Sequence, residues 1–148
     1  MSGMQLKIKK LREGAKLPYR ASAGAAAYDL CACTSEPIRI EPGEYASVQT
    51  GIAIELPRED MVALVFSRSG HGIKHGLSLV NSVGVIDYDY RGEITVGLIN
   101  HGTEPYEIAP GERIAQLMIT SFFAPEVVEC NELGETERGV AGFGSTGK

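Results

Sequence analysis

Short alternating segments, each ended by turn-forming residues, constrain the fold of this chain most. Apolar and polar residues alternate with period two in nine stretches, at 6–9, 38–40, 48–56, 62–66, 77–80, 83–86, 93–99, 106–108 and 114–122. Breaks such as Glu41-Pro42-Gly43 and Ala109-Pro110-Gly111 separate them. Many short strands divided in this way predict an all-β subunit, either a sandwich or a barrel.

Helical periodicity is weak throughout the chain. No segment of a dozen residues carries a continuous apolar stripe, so we expect at most one short helix, beginning near Ser69. The last residues, 131–148, are rich in glycine and charge and poor in apolar side chains, which predicts a flexible C-terminal arm. The chain is therefore divided into a β domain, 1–130, and an arm, 131–148.

Length and charge exclude several classes of protein. The 148 residues suit one domain, and they contain neither a run long enough to span a membrane nor a secretion signal at the start. We therefore expect a soluble, cytoplasmic protein, and the odd number of cysteines, 3, favours reduced thiols. The net charge of −5 argues against bulk attraction to nucleic acid or an anionic membrane. An anionic small substrate would need local arginines and a metal ion.

The segment around Asp87 offers a candidate general base. Gly84-Val85-Ile86 precedes Asp87 as an apolar strand, and 88–92 are expected to turn the chain into a second strand. Such a hairpin would hold the carboxylate rigidly in half-buried surroundings, which suits a general base, and Tyr90 would share the pocket. The alternative is an aspartate that bonds the backbone of its own turn. This segment alone favours that alternative.

Four further clusters occur in a fixed order with this one. The five are Ala27-Tyr28-Asp29-Leu30, Ser67-Arg68-Ser69-Gly70, the segment 81–93, Gly111-Glu112-Arg113-Ile114-Ala115-Gln116-Leu117, and the segment 138–146. Together they resemble the five motifs of the trimeric dUTPase family. The resemblance runs from about residue 21 to the end of the chain, and five ordered motifs are far more specific than any single one.

The resemblance implies a fold, an assembly and a reaction. The expected fold is a jelly-roll subunit, and the expected assembly is a homotrimer in which each site draws on more than one subunit. The expected reaction is hydrolysis of dUTP to dUMP and pyrophosphate with Mg²⁺. Asp87 would activate the attacking water, and Asp29 would help to hold Mg²⁺ through water.

The resemblance also implies a set of substrate-binding residues. They are Arg68, Ser69, Gly70 and Gln116 at the phosphates, Asn81 and Gly84 where the uracil is read, Tyr90 under the deoxyribose, and Arg138, Phe143, Gly144, Ser145 and Thr146 in an arm that folds onto the nucleotide. The ordinary alternatives are a solvated loop for Arg68, a hydrogen bond to neighbouring backbone for Gln116, a surface position for Asp29, a core aromatic for Tyr90 and disorder for the arm. Only the resemblance separates the two readings.

The sequence departs from the usual family pattern at three positions, Ala27, Ser67 and Ala141. The first two are expected to be harmless. Ala141 would weaken closure of the arm if its position needed a positive φ, because a Cβ is costly there.

Two other functions stay open from the sequence. A dCTP deaminase has a related fold but lacks the Gly-Phe-Gly-Ser-Thr ending, so 142–146 argue against it. A regulatory module that uses the nucleotide pocket as a switch for a protein partner is compatible with intact catalytic motifs.

Overall fold

Eleven strands and one short helix make up the part of the chain that the computed structural model describes, residues 4–142. The strands are β1 (Lys7–Lys10), β2 (Tyr28–Cys31), β3 (Ile38–Ile40), β4 (Tyr45–Gln49), β5 (Ile52–Glu55), β6 (Met61–Phe66), β7 (Leu77–Leu79), β8 (Gly84–Ile86), β9 (Thr95–Asn100), β10 (Tyr106–Ile108) and β11 (Arg113–Ser121). The helix, α1 (Ser69–His75), lies between β6 and β7 and starts where the sequence predicted it. The all-β class with at most one short helix is confirmed.

The strands form four antiparallel sheets. The largest has the order β2-β11-β6-β8, the second has the order β4-β9-β7, and two-stranded sheets pair β1 with β5 and β10 with β3. Neighbours in the largest sheet are far apart along the chain, so long-range pairing defines its order. It brings the N-terminal strand β2 against the C-terminal strand β11.

Period-two alternation creates the core. In β6, for example, buried and half-buried residues alternate along the whole strand, because successive side chains point to opposite faces. One contiguous apolar cluster joins the inward faces of the sheets. Its most completely buried members include Leu30, Ile40, Val48, Ile52, Leu77, Leu98, Ile108, Ile114 and Leu117.

The predicted strand at 48–56 is two strands, so that prediction is wrong in its continuity. The chain breaks at Gly51, whose φ of +71° lies in the left-handed region. A Cβ at this position would come within 2.7 Å of Cys33 Sγ. Gly51 therefore permits both the reversal and the close packing, and it divides β4 from β5.

The predicted hairpin around Asp87 is also wrong. Strand β8 pairs with β6, whereas β9 pairs with β4 and β7, so the strands on either side of Asp87 belong to different sheets. The backbone N–H of Ile94 donates to the carbonyl of Ile52 at 2.9 Å, which directs the chain toward the second sheet before β9 begins. The connection that carries Asp87 crosses from one sheet to the other.

The sheets end before the predicted arm begins. Strand β11 finishes at Ser121, and residues 122–142 are exposed and contain no helix or strand. The domain boundary at 130/131 stays a prediction. Within residues 4–142, the only helix is far too short to cross a bilayer.

Candidate active site

A cavity of about 450 Å³ opens between the two larger sheets, and we call it the Asp87 cavity. It forms where β7 and β8 separate into different sheets. Its walls come from β6, β8, β9 and the loops beside them. The lining residues include four that the sequence predicted for one site: Asn81, Gly84, Asp87 and Tyr90.

The turn between β7 and β8 shapes the wall of the Asp87 cavity. Ser82 adopts a φ of +63° and is the only non-glycine residue with positive φ in the described chain. A left-handed conformation costs a residue with a Cβ roughly 1–2 kcal/mol. The N–H of Val83 donates to the carbonyl of Asn81 at 2.7 Å and tightens the turn. The strain therefore lies next to Asn81, where a ligand would meet the backbone.

Gly84 provides the closest packing in this wall. A Cβ on Gly84 would lie 3.1 Å from Cβ of Val65 on the neighbouring strand β6. That distance is tighter than ordinary side-chain contacts, so a side chain at this position would push toward the cavity or displace Val65.

The Asp87 side chain is exposed, so the predicted half-burial is wrong for the single chain. Its backbone carbonyl accepts from Tyr90 N at 3.2 Å, which closes a turn. Within residues 4–142 the carboxylate itself has no hydrogen-bond partner. The carboxylate is thus available to a ligand rather than committed to its own turn, as the alternative would require.

A second cavity, of about 470 Å³, contains the predicted phosphate and metal residues, and we call it the Arg68 cavity. Its lining includes Asp29, Arg68, Ser69, Gly70 and Gln116. Strand register explains their proximity, because Gln116 on β11 lies opposite Asp29 on β2 and opposite Phe66 at the end of β6. Helix α1 starts three residues after Phe66, at Ser69.

Two guanidinium groups hold the Asp29 carboxylate. Arg68 Nε donates to Oδ1 and Arg113 Nη1 donates to Oδ2, both at 3.2 Å. Only 12% of the Asp29 side chain is exposed. One carboxylate therefore orients two guanidinium groups. These three side chains together carry a net positive charge at the cavity, although the net charge of the whole chain is −5.

Gln116 is bonded as a half-buried amide should be. Its Nε2 donates to the carbonyl of Ser67 at 2.8 Å, which is the ordinary alternative considered for this residue. The same side chain lines the Arg68 cavity, so the structural bond fixes its direction there.

The donor set of the Arg68 cavity fits Mg²⁺ that is carried by a phosphate chain. Residues 4–142 contain no group of three His, Cys, Asp or Glu side chains that could hold a metal ion alone. Mg²⁺ commonly retains several waters and uses one or two carboxylates together with substrate phosphates. Asp29, with its oxygens already facing arginines, suits a contact through water.

The two cavities lie on opposite sides of strand β6. Val65 lines the Asp87 cavity, and its neighbour Phe66 lines the Arg68 cavity. Successive side chains of a strand point to opposite faces, and the two cavities share no lining residue. The predicted site residues therefore form two groups, one in each cavity, and strand β6 separates the two groups within one chain.

A polar cluster attaches helix α1 to the turn before β11. His71 Nε2 lies 3.0 Å from Glu112 Oε1, and Tyr106 Oη donates to the same carboxylate oxygen. The N–H of Ala109 donates to Glu112 Oε2 at 2.9 Å. Burial lowers the pKa of His71, whereas burial and the Glu112 hydrogen bond raise the pKa of Tyr106 to about 12. The cluster fixes the helix that begins at Ser69 relative to the strand that carries Gln116.

The sequence analysis missed four residues at these sites. Arg113 contacts Asp29, and Arg12, Gly92 and Glu93 support the loop that carries Tyr90. Arg113 lies inside one of the quoted motifs, which was the available signal. Arg12 lies outside all five motifs, and only the fold reveals its contact.

Most of the predicted arm residues lie outside the part of the chain that the structure describes. Arg138 is exposed, and Phe143, Gly144, Ser145 and Thr146 lie outside the described residues. Of the departures from the family pattern, Ala27 lines the Arg68 cavity and Ser67 Oγ accepts from Leu79 N at 2.9 Å. Ala141 does not adopt a positive φ here, so the expected cost at this position is absent from the structure.

Comparisons with known proteins identify the family of this chain. The dUTPase family model matches residues 13–147. Deoxyuridine 5′-triphosphate nucleotidohydrolase from Desulfitobacterium hafniense is 48% identical, with 99% of each chain covered. The enzyme of the same name from Hydrogenobaculum sp. is 50% identical, with 97% of this chain and 99% of the relative covered.

Solved structures show the same fold. The dUTPase of Staphylococcus bacteriophage 80alpha, solved with dUpNHpp and reported to control transfer of virulence genes, is 31% identical and has a TM-score of 0.88, with 97% of this chain and 99% of that chain covered. A mutant dUTPase from phage phi11 of S. aureus, reported to show coordination of a structural Mg(II) ion, is 27% identical and has a TM-score of 0.79, with 88% and 99% covered. With a matching family model over most of its length and full-length relatives near 50% identity, this chain belongs to the dUTPase family.

Proposed function

We propose that this protein hydrolyses dUTP to dUMP and pyrophosphate, with Asp87 as the general base. The observation that carries this proposal is the Asp87 carboxylate, which has no hydrogen-bond partner among residues 4–142, beside a cavity that also contains Asn81, Gly84 and Tyr90. The full-length relatives are dUTP nucleotidohydrolases, which supports the substrate and the reaction.

The Asp87 cavity binds the nucleoside in this proposal. Asn81 and the backbone around Gly84 read the uracil edge, and the Tyr90 ring packs under the deoxyribose and leaves no space for a 2′-hydroxyl. A site built from such polar groups rejects a mispaired base strongly, because its own donors and acceptors would stay unsatisfied. Asp87 orients a water for in-line attack on the α-phosphate and accepts its proton.

The Arg68 cavity binds the phosphates. Arg68, Ser69, Gly70 and Gln116 supply donors for phosphate oxygens, and Arg113 adds a second cation. Asp29 would hold Mg²⁺ through water, and the ion would neutralise phosphate charge when bound with the substrate. The protein groups position the chain and stabilise the charge that develops as pyrophosphate leaves.

The assembly is a homotrimer in which different subunits supply the two cavities of one site. Separation of the cavities by strand β6 supports this, since a nucleotide in the Asp87 cavity of one chain needs the Arg68 cavity of another. The arm completes the site: Phe143 stacks on the base, Arg138, Ser145 and Thr146 contact the terminal phosphate, and Gly144 belongs to the same substrate-binding segment.

A product assay tests the reaction and its chemistry. The protein is incubated with dUTP, dCTP, UTP and dTTP in H₂¹⁸O with Mg²⁺, and products are identified by mass spectrometry. We expect turnover of dUTP far ahead of the other three, with the heavy oxygen in dUMP. Label in pyrophosphate would contradict attack on the α-phosphate. Formation of dUTP from dCTP would identify a deaminase instead.

The regulatory alternative requires a different experiment. A pull-down from the source cell, with and without a non-hydrolysable dUTP analogue, would reveal a partner whose binding depends on the nucleotide. Such a partner would add a function and would leave the hydrolysis proposal in place.

A further inference from the structure

An ion pair between Arg12, which lies outside the predicted motifs, and Glu93, the last residue of the motif at 81–93, supports the loop that carries Tyr90. Arg12 Nε donates to Glu93 Oε1 at 2.7 Å, and Arg12 Nη2 donates to Glu93 Oε2 at 3.0 Å. This two-bond geometry matches the planar fork of guanidinium to a carboxylate, and it fixes orientation as well as distance. The Glu93 side chain is only 17% exposed, so solvent screens this pair less than an ordinary surface pair.

The same carboxylate binds the kink between β4 and β5. The N–H of Gly51 donates to Glu93 Oε1 at 2.9 Å. Beside it, Thr50 Oγ1 and Thr50 N both donate to the carbonyl of Ile94, at 2.6 Å and 3.2 Å. Thr50 is 2% exposed, so the kink is part of the core. Glu93 and Ile94 are therefore held against a rigid element on one side and Arg12 on the other.

Arg12 is itself fixed through its neighbour. The N–H of Leu11 donates to the carbonyl of Gly51 at 2.7 Å, directly after strand β1. The N-terminal segment, the Gly51 kink and Glu93 thus form one hydrogen-bonded unit. Its members are separated by 42 and 81 positions along the chain.

Tyr90 depends on this unit for its position. Its hydroxyl donates to the backbone carbonyl of Glu93 at 3.0 Å. The ring end lies over Gly92, where a Cβ would come within 2.3 Å of the Tyr90 hydroxyl. Both Tyr90 and Glu93 line the Asp87 cavity. The ring is therefore placed by where the Glu93 backbone is held.

We propose that Arg12 and Glu93 are positioning residues for sugar discrimination: they hold the Tyr90 ring at the place where it excludes a 2′-hydroxyl. This inference rests on the proposed role of Tyr90 in dUTP hydrolysis. When the ion pair is broken, the Glu93 backbone and the Tyr90 ring gain freedom, and a ribonucleotide gains space. We expect the change mainly in specificity, because the unit bonds the Tyr90 hydroxyl, whereas Asp87 meets Tyr90 only through a backbone hydrogen bond and the Arg68 cavity is not part of the unit.

Single variants measured on two substrates test the proposal. The kcat/KM values for dUTP and UTP are determined for wild type, Arg12→Met, Arg12→Lys and Glu93→Gln. We expect Arg12→Met and Glu93→Gln to lower the dUTP/UTP ratio about three- to tenfold, which is at or below the lower end of the discrimination produced by one methylene in a pocket, because the ring is loosened and not removed. Arg12→Lys retains charge but loses the fork, so it should restore part of the ratio.

Tyr90→Phe isolates the hydroxyl that joins the ring to Glu93. It should lower the ratio in the same direction, and Arg12→Met combined with Tyr90→Phe should lower it little further, because both changes break one connection. Lys7→Met is the matched control. It breaks the exposed ion pair between Lys7 on strand β1, shortly before Arg12, and Glu55 on β5, and it should leave the dUTP/UTP ratio unchanged.

The outcomes separate this inference from the proposed function. If Arg12 had a purely structural role, Arg12→Met would lower the melting temperature and change kcat/KM for dUTP and UTP equally. An unchanged dUTP/UTP ratio in Arg12→Met and Tyr90→Phe would overturn the inference. If Tyr90→Ala also left the ratio unchanged, the sugar role of Tyr90 would fail together with it. Hydrolysis of dUTP by wild type would still stand in both cases.

Discussion

Subunit mixing gives the most direct test of the divided site. Asp87 and Arg68 line cavities on opposite sides of β6, so a complete site should combine Asp87 of one subunit with Arg68 of another. Asp87→Asn removes the base, and Arg68→Ala removes a phosphate donor and a partner of Asp29. Each homotrimer should be nearly inactive. A mixed trimer should contain some intact sites.

The size of the recovery follows from the geometry. In the proposed closed trimer each site would take Asp87 from one subunit and Arg68 from its neighbour. With an equimolar random mixture, each of the two subunits has the intact residue with a probability of one half. About one quarter of the sites should therefore be complete, and the mixture should reach about 25% of wild-type turnover.

The assay is a co-refolding experiment. The two variants are mixed in urea, refolded together, checked for subunit exchange by native mass spectrometry and assayed for dUTP hydrolysis against refolded wild type. Arg68→Ala mixed with Gln116→Ala is the matched control, because both residues line one cavity and no combination restores it. If subunits exchange and the Asp87→Asn mixture stays at the average of its parents, the site lies within one chain and the divided-site proposal is wrong.

The remaining predictions concern the base, a buried histidine and the arm. Asp87→Asn should lower kcat on the order of 10²–10⁴-fold while dUTP binding measured by calorimetry is largely retained, and near-normal turnover would remove Asp87 from its role. Burial lowers the pKa of His71 below its ordinary value of 6.5, so protonation favours the unfolded chain. The contribution of neutral His71 to the free energy of unfolding is fully present above pH 6.5 and is lost as the pH falls toward the pKa of His71 in the folded chain. In urea unfolding, His71→Leu should therefore lose less free energy of unfolding than wild type between pH 7.5 and 5. An unchanged pH dependence would contradict this reasoning. Truncation after Glu137 should leave the melting temperature unchanged, because residues 122–142 contribute no buried side chain, and should lower kcat/KM for dUTP about tenfold or more; full activity would exclude a role for the arm.

Local patterns in the sequence predicted the elements well for a physical reason. A strand with one buried face must alternate, so the segments at 38–40 and 106–108 are strands over the predicted residues. The helix near Ser69 was also predicted correctly. Alternation does not reveal a break when the pattern continues through it, which is why the kink at Gly51 was read as continuous strand.

Pairing between distant residues was not accessible in the same way. The Asp29–Arg113 contact joins positions 84 apart, and Arg12–Glu93 joins positions 81 apart. Neither residue type is unusual at its own position, and a single sequence does not show which charges meet. The hairpin error has the same origin, because nearness along the chain favours pairing of β8 with β9, whereas the sheets assign them other partners.

Asp87 is exposed in the single chain, although the sequence predicted that it would be half-buried. A carboxylate next to an apolar strand suggested half-burial, but the crossing between sheets leaves Asp87 at a cavity mouth in contact with solvent. A general base acts most directly on its water when the reacting groups are shielded from bulk solvent, and cover by other parts of the site is one way to achieve this. In this chain the sheets do not provide it. In the proposed trimer, the bound nucleotide, a neighbouring subunit and the arm are the remaining sources of cover, and each would reach Asp87 only when the site is assembled. We therefore expect Asp87 to be shielded from solvent when substrate binds in the proposed trimer, so the unassembled chain avoids the cost of permanently burying a charged group.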